Sequence, residues 1–412
     1  MSRRNFILLI VILTILIIVG VILYSTRTPS NTNTGGGGSS FTDIFGEFGT
    51  GSNTSGGGSN TPTDVSQGED ELGAIATAKL VRVSSLPVAG YSVIQRERPA
   101  GVFIPTLRYV DRITGNIYQT FADTIAERKI TETLIPQVYE AYLSDSGDGV
   151  FMRYLKSNNK TISTFASKIP KEKDDGSLLK LESTFILDDI LSLSVAPDKS
   201  KVFYLLQNGE SVIGTIFELS TNKKAQIFDS AFTEWISEWP SSKMITLTTK
   251  ASSRAMGYMY AINIDRKDLN KVLGGIYGLT TLTSPDGKLV LYGDNTLSLF
   301  ILNTETKSVS QLGVRGLPEK CVWSKNGSSL YCATPINTPI GLFPDSWYQG
   351  ETAFADQIYQ IDTENLNATL VVNPTEEVDR GLDIIKMELE PSGIYLFFVN
   401  KTDSTLWKVN LK

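Results

Sequence analysis

A chain of 412 residues with a formal net charge of −6, its charges spread along its length, offers no basic face for a phosphate backbone, which excludes nucleic acid as a partner. Histidine is absent altogether. That absence removes every histidine-ligated metal site and every Ser/His/Asp or Cys/His catalytic arrangement, so no metal and no cofactor is expected.

The chain begins with an apolar run from Phe6 to Tyr24, interrupted only by Thr14 and Gly20. Its 19 residues at 1.5 Å rise would span about 28 Å, close to the hydrocarbon core of a bilayer. Arg3 and Arg4 precede the run and Arg27 follows it, which favours a cytoplasmic N-terminus and an exported body. The alternative is a cleaved signal peptide. The run is longer than a signal-peptide core, and no small-x-small cleavage site follows Tyr24. Residues 1–27 are therefore expected to be a single-pass transmembrane anchor. Residues 28–75 are rich in Gly, Ser, Thr and Asn, including Gly35 to Gly38 and Gly56 to Gly58, and read as a disordered linker. The island Phe41-Thr-Asp-Ile-Phe-Gly-Glu-Phe48 is its one apolar feature.

From residue 76 to residue 412 the chain repeats one pattern, a β-type run entering a tight turn and a second run leaving it. The clearest copy is Leu282-Thr-Ser-Pro-Asp-Gly-Lys-Leu-Val-Leu-Tyr292, in which Pro, Asp and Gly each suit their turn position. Further copies are anchored at Pro197, Pro240, Lys325 and Pro391, with weaker ones at Pro99 and Asp145. Successive anchors lie 40 to 52 residues apart except the last pair, which is 66 apart. Each unit reads as four short strands, the pattern of a β-propeller blade. Seven units predict an all-β, seven-bladed propeller, with six or eight blades as neighbouring counts. The final unit stops one strand short at Thr405 to Leu411, and a surplus strand, Ala78 to Ser84, precedes the first. Pairing these two would close the ring and remove two exposed edges.

The Ser-Pro-Asp-Gly-Lys motif at 284–288, with a partial copy at 196–201, resembles the repeat of TolB-like and WD-repeat-like propellers. The resemblance implies an extracytoplasmic propeller often used for protein contacts, and it carries over no catalytic residues.

The long last spacing marks an insertion at about Ala333 to Ala355, rich in Pro and aromatics: Phe343, Trp347, Tyr348 and Phe354. Two readings stay open: an aromatic recognition loop for a protein or glycan, or a small private core. Cys321 and Cys332 flank one hairpin. A two-residue turn at Asn326-Gly327 would oppose them and permit a disulfide. A turn pairing Ser324 with Ser328 would leave them offset, as two buried free thiols. Acidic pairs at Asp145/Asp148 and Asp188/Asp189, and the trio Glu172/Asp174/Asp175, read as turn-capping groups. The functional expectation is a membrane-anchored, non-enzymatic protein-interaction or scaffold module of the cell envelope. Alternatives are a carbohydrate- or peptidoglycan-binding module and a carboxylate-based glycoside hydrolase or lyase.

Overall fold

The computed structural model describes residues 78–97, 103–172 and 176–412. The expected anchor (Phe6 to Tyr24), the linker and the Pro99 turn lie outside them. Among the described residues no helix is long and apolar enough to cross a membrane.

The described chain forms seven antiparallel four-stranded sheets. Six are contiguous in sequence; blade 5, for example, is built from Thr280–Thr283, Leu289–Gly293, Ser298–Asn303 and Val309–Arg315. The seventh takes Ile384–Leu389, Tyr395–Asn400 and Leu406–Asn410 from the C-terminal end and completes itself with Leu80–Arg82 from upstream of blade 1. Leu80 stands opposite Val409 and Arg82 opposite Trp407, so the surplus strand fills the vacant edge as expected.

Period-two alternation explains why these sheets stack radially. In blade 2, Phe151 packs with Leu193, Tyr204 and Phe217 of blade 3, while its neighbour Met152 packs with Val110 and Ile117 of blade 1. The apolar side chains gather into seven such inter-blade clusters, including one between blades 7 and 1 that joins Val83, Phe397 and Leu406 to Tyr91 and Leu107. An open arc of seven blades would have one interface fewer, so the ring is closed and other blade counts are excluded. At the inner strand of blade 1 the packing is too tight for a side chain: a Cβ on Gly90 would meet the Ala141 carbonyl oxygen of blade 2 at 1.8 Å.

The repeated turn holds four residues. Ser284 pairs with Leu289 through its N–H, Gly287 closes back on Ser284, and Gly287 sits at φ 75°, where glycine alone is unstrained. The Asn326-Gly327 turn copies it, with Ser324 paired to Ser329. The expectation that this copy would offset the cysteines is therefore corrected: four loop residues preserve the parity of a two-residue turn. Cys321 lies directly opposite Cys332 at 4.1 Å between Cα atoms, and the two form a disulfide, not the free thiols expected as the alternative.

Each first strand runs from a blade-to-blade connection toward this turn. The connections therefore share one face of the ring with the loops between second and third strands, and the turns occupy the other.

Candidate functional site

The insertion of blade 6 spans residues 336–355, between Ser329–Pro335 and Asp356–Asp362. It contains one short helix, Asp345–Tyr348, and divides its aromatic residues between two tasks. Phe343, Trp347 and Phe354 are buried with Leu297 and Leu317 in a private cluster, so for these three the recognition reading is corrected. The Trp347 indole donates to the Asp383 carboxylate at 3.0 Å, and a group hydrogen-bonded inside a core cannot also bind a partner. Tyr348 differs. Its side chain is 49 % exposed, and its hydroxyl donates to Oε1 of Glu319.

Beneath the insertion lies Lys320, fully buried, with Asp356 at 2.8 Å and Asp383 at 2.5 Å. Its ammonium also lies 5.0 Å from the Trp347 and Phe354 ring centres. Burial pushes the Asp356 carboxyl up to about 6, against the pull of Lys320. On the far side, the Asp345 carboxylate accepts from the Ser253 amide at 2.5 Å, in the loop between the second and third strands of blade 4. The insertion thus reaches from blade 6 across blade 5 to blade 4.

This arrangement walls a cavity of about 110 Å³ lined by Ile236, Glu238, Thr248, Thr280, Glu319 and Tyr348, among others. Two carboxyls share it. Glu238 sits in the inner strand Trp235–Ser241, whose buried Trp235, Ser237 and Trp239 alternate with Ile236 and Glu238. The alternation turns Trp235 and Trp239 into the cluster with blade 3 and sets Glu238 against blade 5. There it accepts from the Thr283 amide at 3.1 Å and the Thr283 hydroxyl at 3.0 Å. Burial outweighs these hydrogen bonds and pushes its carboxyl up to about 7. Glu319 comes from the 3-10 turn Pro318–Lys320 that links blades 5 and 6. Successive residues of such a turn point about 120° apart, which sends Lys320 into the core and Glu319 to the cavity. Burial raises the Glu319 carboxyl too, although Tyr348 and Lys320 oppose the shift. Burial and the adjoining Glu319 in turn hold the Tyr348 proton tightly.

Sequence reasoning named Tyr348 but missed Glu238 and Glu319. A glutamate between two tryptophans of an apolar strand was a legible signal. That it shares a cavity with Glu319 was not.

A larger cavity, about 740 Å³, opens on the opposite face and is lined by the turn residues Pro197, Pro240, Pro285 and Pro391. Its half-buried cation, Lys199, is already held by Glu388 at 3.0 Å and Asp145 at 3.2 Å. The other acidic groups are engaged as well: Asp148 accepts from Ser144 at 2.9 Å, Asp188 from Lys156 at 2.7 Å, and Glu172 pairs with Arg108 at 2.5 Å. Asp174 and Asp175 lie outside the described residues.

No protein-family model and no curated protein matches the sequence. The fold, by contrast, matches 1311 solved chains, too many for it to specify a function. One is an oligogalacturonate lyase from Vibrio parahaemolyticus, at a TM-score of 0.53 and 11 % identity over 82 % of this chain and 94 % of that one. Another is an oligogalacturonate lyase in complex with manganese, at 0.50 and 12 % over 81 % and 98 %. These likenesses establish the propeller. They also correct the expectation of a non-enzymatic interaction or scaffold module, since these two chains of the same architecture are enzymes.

Manganese does not fit the residues present. It is held by several carboxylate, carbonyl or imidazole ligands. This chain has no histidine, and the described residues contain no group of three or more His, Cys, Asp or Glu able to surround an ion.

Proposed function

We propose that the protein is a lyase-like enzyme that breaks a glycosidic bond of an acidic oligosaccharide by acid–base chemistry at Glu238 and Tyr348, beside Glu319. The observation that carries this reading is a pair of carboxyls of raised proton affinity sharing one cavity with a tyrosine hydroxyl. A carboxyl poised near 7 is well matched to proton transfer at neutral pH. The cavity is too small for a whole sugar chain, so the substrate would cross the surface beside Tyr348 and insert one substituent.

In the elimination, the Glu238 carboxylate takes the proton on the carbon next to the uronate carboxyl. The electron pair released forms a carbon–carbon double bond as the neighbouring C–O bond breaks. The leaving oxygen takes its proton from the Tyr348 hydroxyl, whose tightly held proton still passes downhill to an alkoxide.

Incubation of the full-length protein with a galacturonate trisaccharide is expected to yield an unsaturated product, read by its ultraviolet absorbance. Glu238→Gln should lower kcat by about 10²–10⁴-fold, the usual contribution of a positioned general base. Absence of unsaturated product from the wild-type protein between pH 6 and 9 would falsify the proposal.

The resemblance of the turn motif to TolB-like repeats and the apolar run Phe6 to Tyr24 support an enzyme tethered at the extracytoplasmic face of the membrane. Fractionation of cells making the full chain tests the tether. It is expected in the carbonate-washed membrane pellet; recovery in the wash would remove this part of the reading.

A further inference from the structure

Elimination beside a uronate carboxylate requires that its negative charge be neutralised, because charge accumulates there as the proton leaves. Among the described residues lining the cavity there is no lysine or arginine, and the donor set does not hold manganese. Neutralisation by a cation is thus not provided for. The cavity instead presents two polar atoms with nothing to bond to: Oε2 of Glu319 and Oγ1 of Thr280, both buried. Thr280, at the start of the inner strand of blade 5, is 6 % exposed. Its hydroxyl lies close enough to Glu319 to favour the ionised carboxylate, against the effect of burial, although the geometry falls short of a full hydrogen bond. A buried donor or acceptor left unpaired is costly, and such atoms in a cavity mark where a ligand supplies the missing partner.

We propose that Glu319 Oε2 and Thr280 Oγ1 form the seat of the substrate carboxylate, with neutral Glu319 donating the hydrogen bond that replaces a metal ion. The inference rests on the lyase reading and gives it a substrate class, a uronide bound without metal. The geometry suits the role. Oε1 accepts from Tyr348, which leaves the acid proton on Oε2. The charged and titratable groups around it are Tyr348 on the insertion with Asp345 acting on it, Lys320 beside it in sequence, Lys401 of blade 7, and Glu238 lining the same cavity. Lys320 is committed to Asp356 and Asp383, and Lys401 donates to the Trp347 carbonyl at 2.5 Å. Neither stands in the cavity. A neutral carboxylic acid can donate where a carboxylate would repel, and burial holds Glu319 toward that form.

The test uses full-length protein dialysed against a chelator, with a galacturonate trisaccharide as probe and its neutral galactose counterpart as control. Wild-type protein is expected to keep its activity after chelation and to lose it as pH rises and Glu319 ionises. Glu319→Gln keeps an N–H donor, so kcat/KM should fall no more than about tenfold and that alkaline loss should disappear. Glu319→Leu should lose about 10²-fold, the contribution of a hydrogen bond to a charged group. Loss of activity on chelation with recovery on adding manganese overturns the proposal, as does a Glu319→Leu enzyme that matches wild type. Calorimetric binding to Glu238→Gln and to the double variant Glu238→Gln/Glu319→Leu separates the two readings. Preference for the uronide that vanishes in the double variant, without cleavage by wild type, leaves the seat standing and removes the lyase. Cleavage by wild type with equal binding to both variants removes the seat and leaves the lyase.

Discussion

Lys320→Met is expected to destabilise the protein by about 3–5 kcal/mol, because it strands the buried carboxylates Asp356 and Asp383 without their cation. The effect should depend on pH, with a sign that follows from Asp356. Its folded-state carboxyl stands at about 6, above its ordinary value of 3.8, so the folded state holds this proton more tightly than the unfolded chain does. An acid raised on folding contributes stability at low pH that is lost as pH rises through the folded value. Removing the lysine removes an interaction that lowers this carboxyl, so the value rises further and the loss extends to higher pH. The urea midpoint of Lys320→Met should therefore fall further below wild type at pH 8 than at pH 5. Adding Asp356→Asn and Asp383→Asn to the same chain should recover much of the deficit. These changes remove the stranded charges, and the amide oxygen introduced by Asp383→Asn can still accept from the Trp347 indole. Equal midpoints for wild type and Lys320→Met at pH 8 would show that the triad does not hold the insertion in place. The consequence reaches the candidate site, because the triad fixes Trp347 and the turn bearing Lys320, and their sequence neighbours are Tyr348 and Glu319.

Leu80→Ala/Val83→Ala in the closing strand is expected to be the other large loss. Leu80 packs in the cluster shared by blades 6 and 7, and Val83 in the one shared by blades 7 and 1. Truncating a buried leucine costs about 2–5 kcal/mol and a buried valine about 1.5–3, so the pair should cost roughly 4–7 kcal/mol. That is comparable to the whole stability of a typical domain, about 5–15 kcal/mol. The backbone hydrogen bond from Val83 to the Leu406 carbonyl, 2.7 Å, remains in the variant, so the measurement isolates packing from pairing. The urea midpoint is the readout. A drop no larger than that of a matched exposed pair, such as Leu370→Ala/Val309→Ala, would mean that the ring does not depend on its closing strand.

Much of the scaffold was legible in the sequence because its causes are local. Pro, Asp and Gly in the turn at 285–287 act through their own backbone preferences, and a motif of that kind recurs wherever the same turn recurs. Counting its copies predicted seven blades; the long spacing after Lys325 located the insertion, and the unpaired strands at the two ends of the repeat array predicted their partnership. Of the two readings left open for Cys321 and Cys332, the offset one failed for an equally local reason, since the turn holds four residues where that reading assumed three.

The candidate site was not legible in this way. Glu238, Glu319 and Tyr348 belong to different blades and connections, and no spacing in the chain relates them. They meet because the radial stacking of consecutive blades sets blade 4 beside blade 5 and because the insertion, seated on Lys320, returns across both. The sequence alone determined the repeat, the length of each blade and the place where the pattern breaks, through residue preferences that act over a few positions. Only the tertiary structure decided which acids share a cavity and how burial shifts their protons, because desolvation is a property of everything packed around a group and not of its neighbours in the chain.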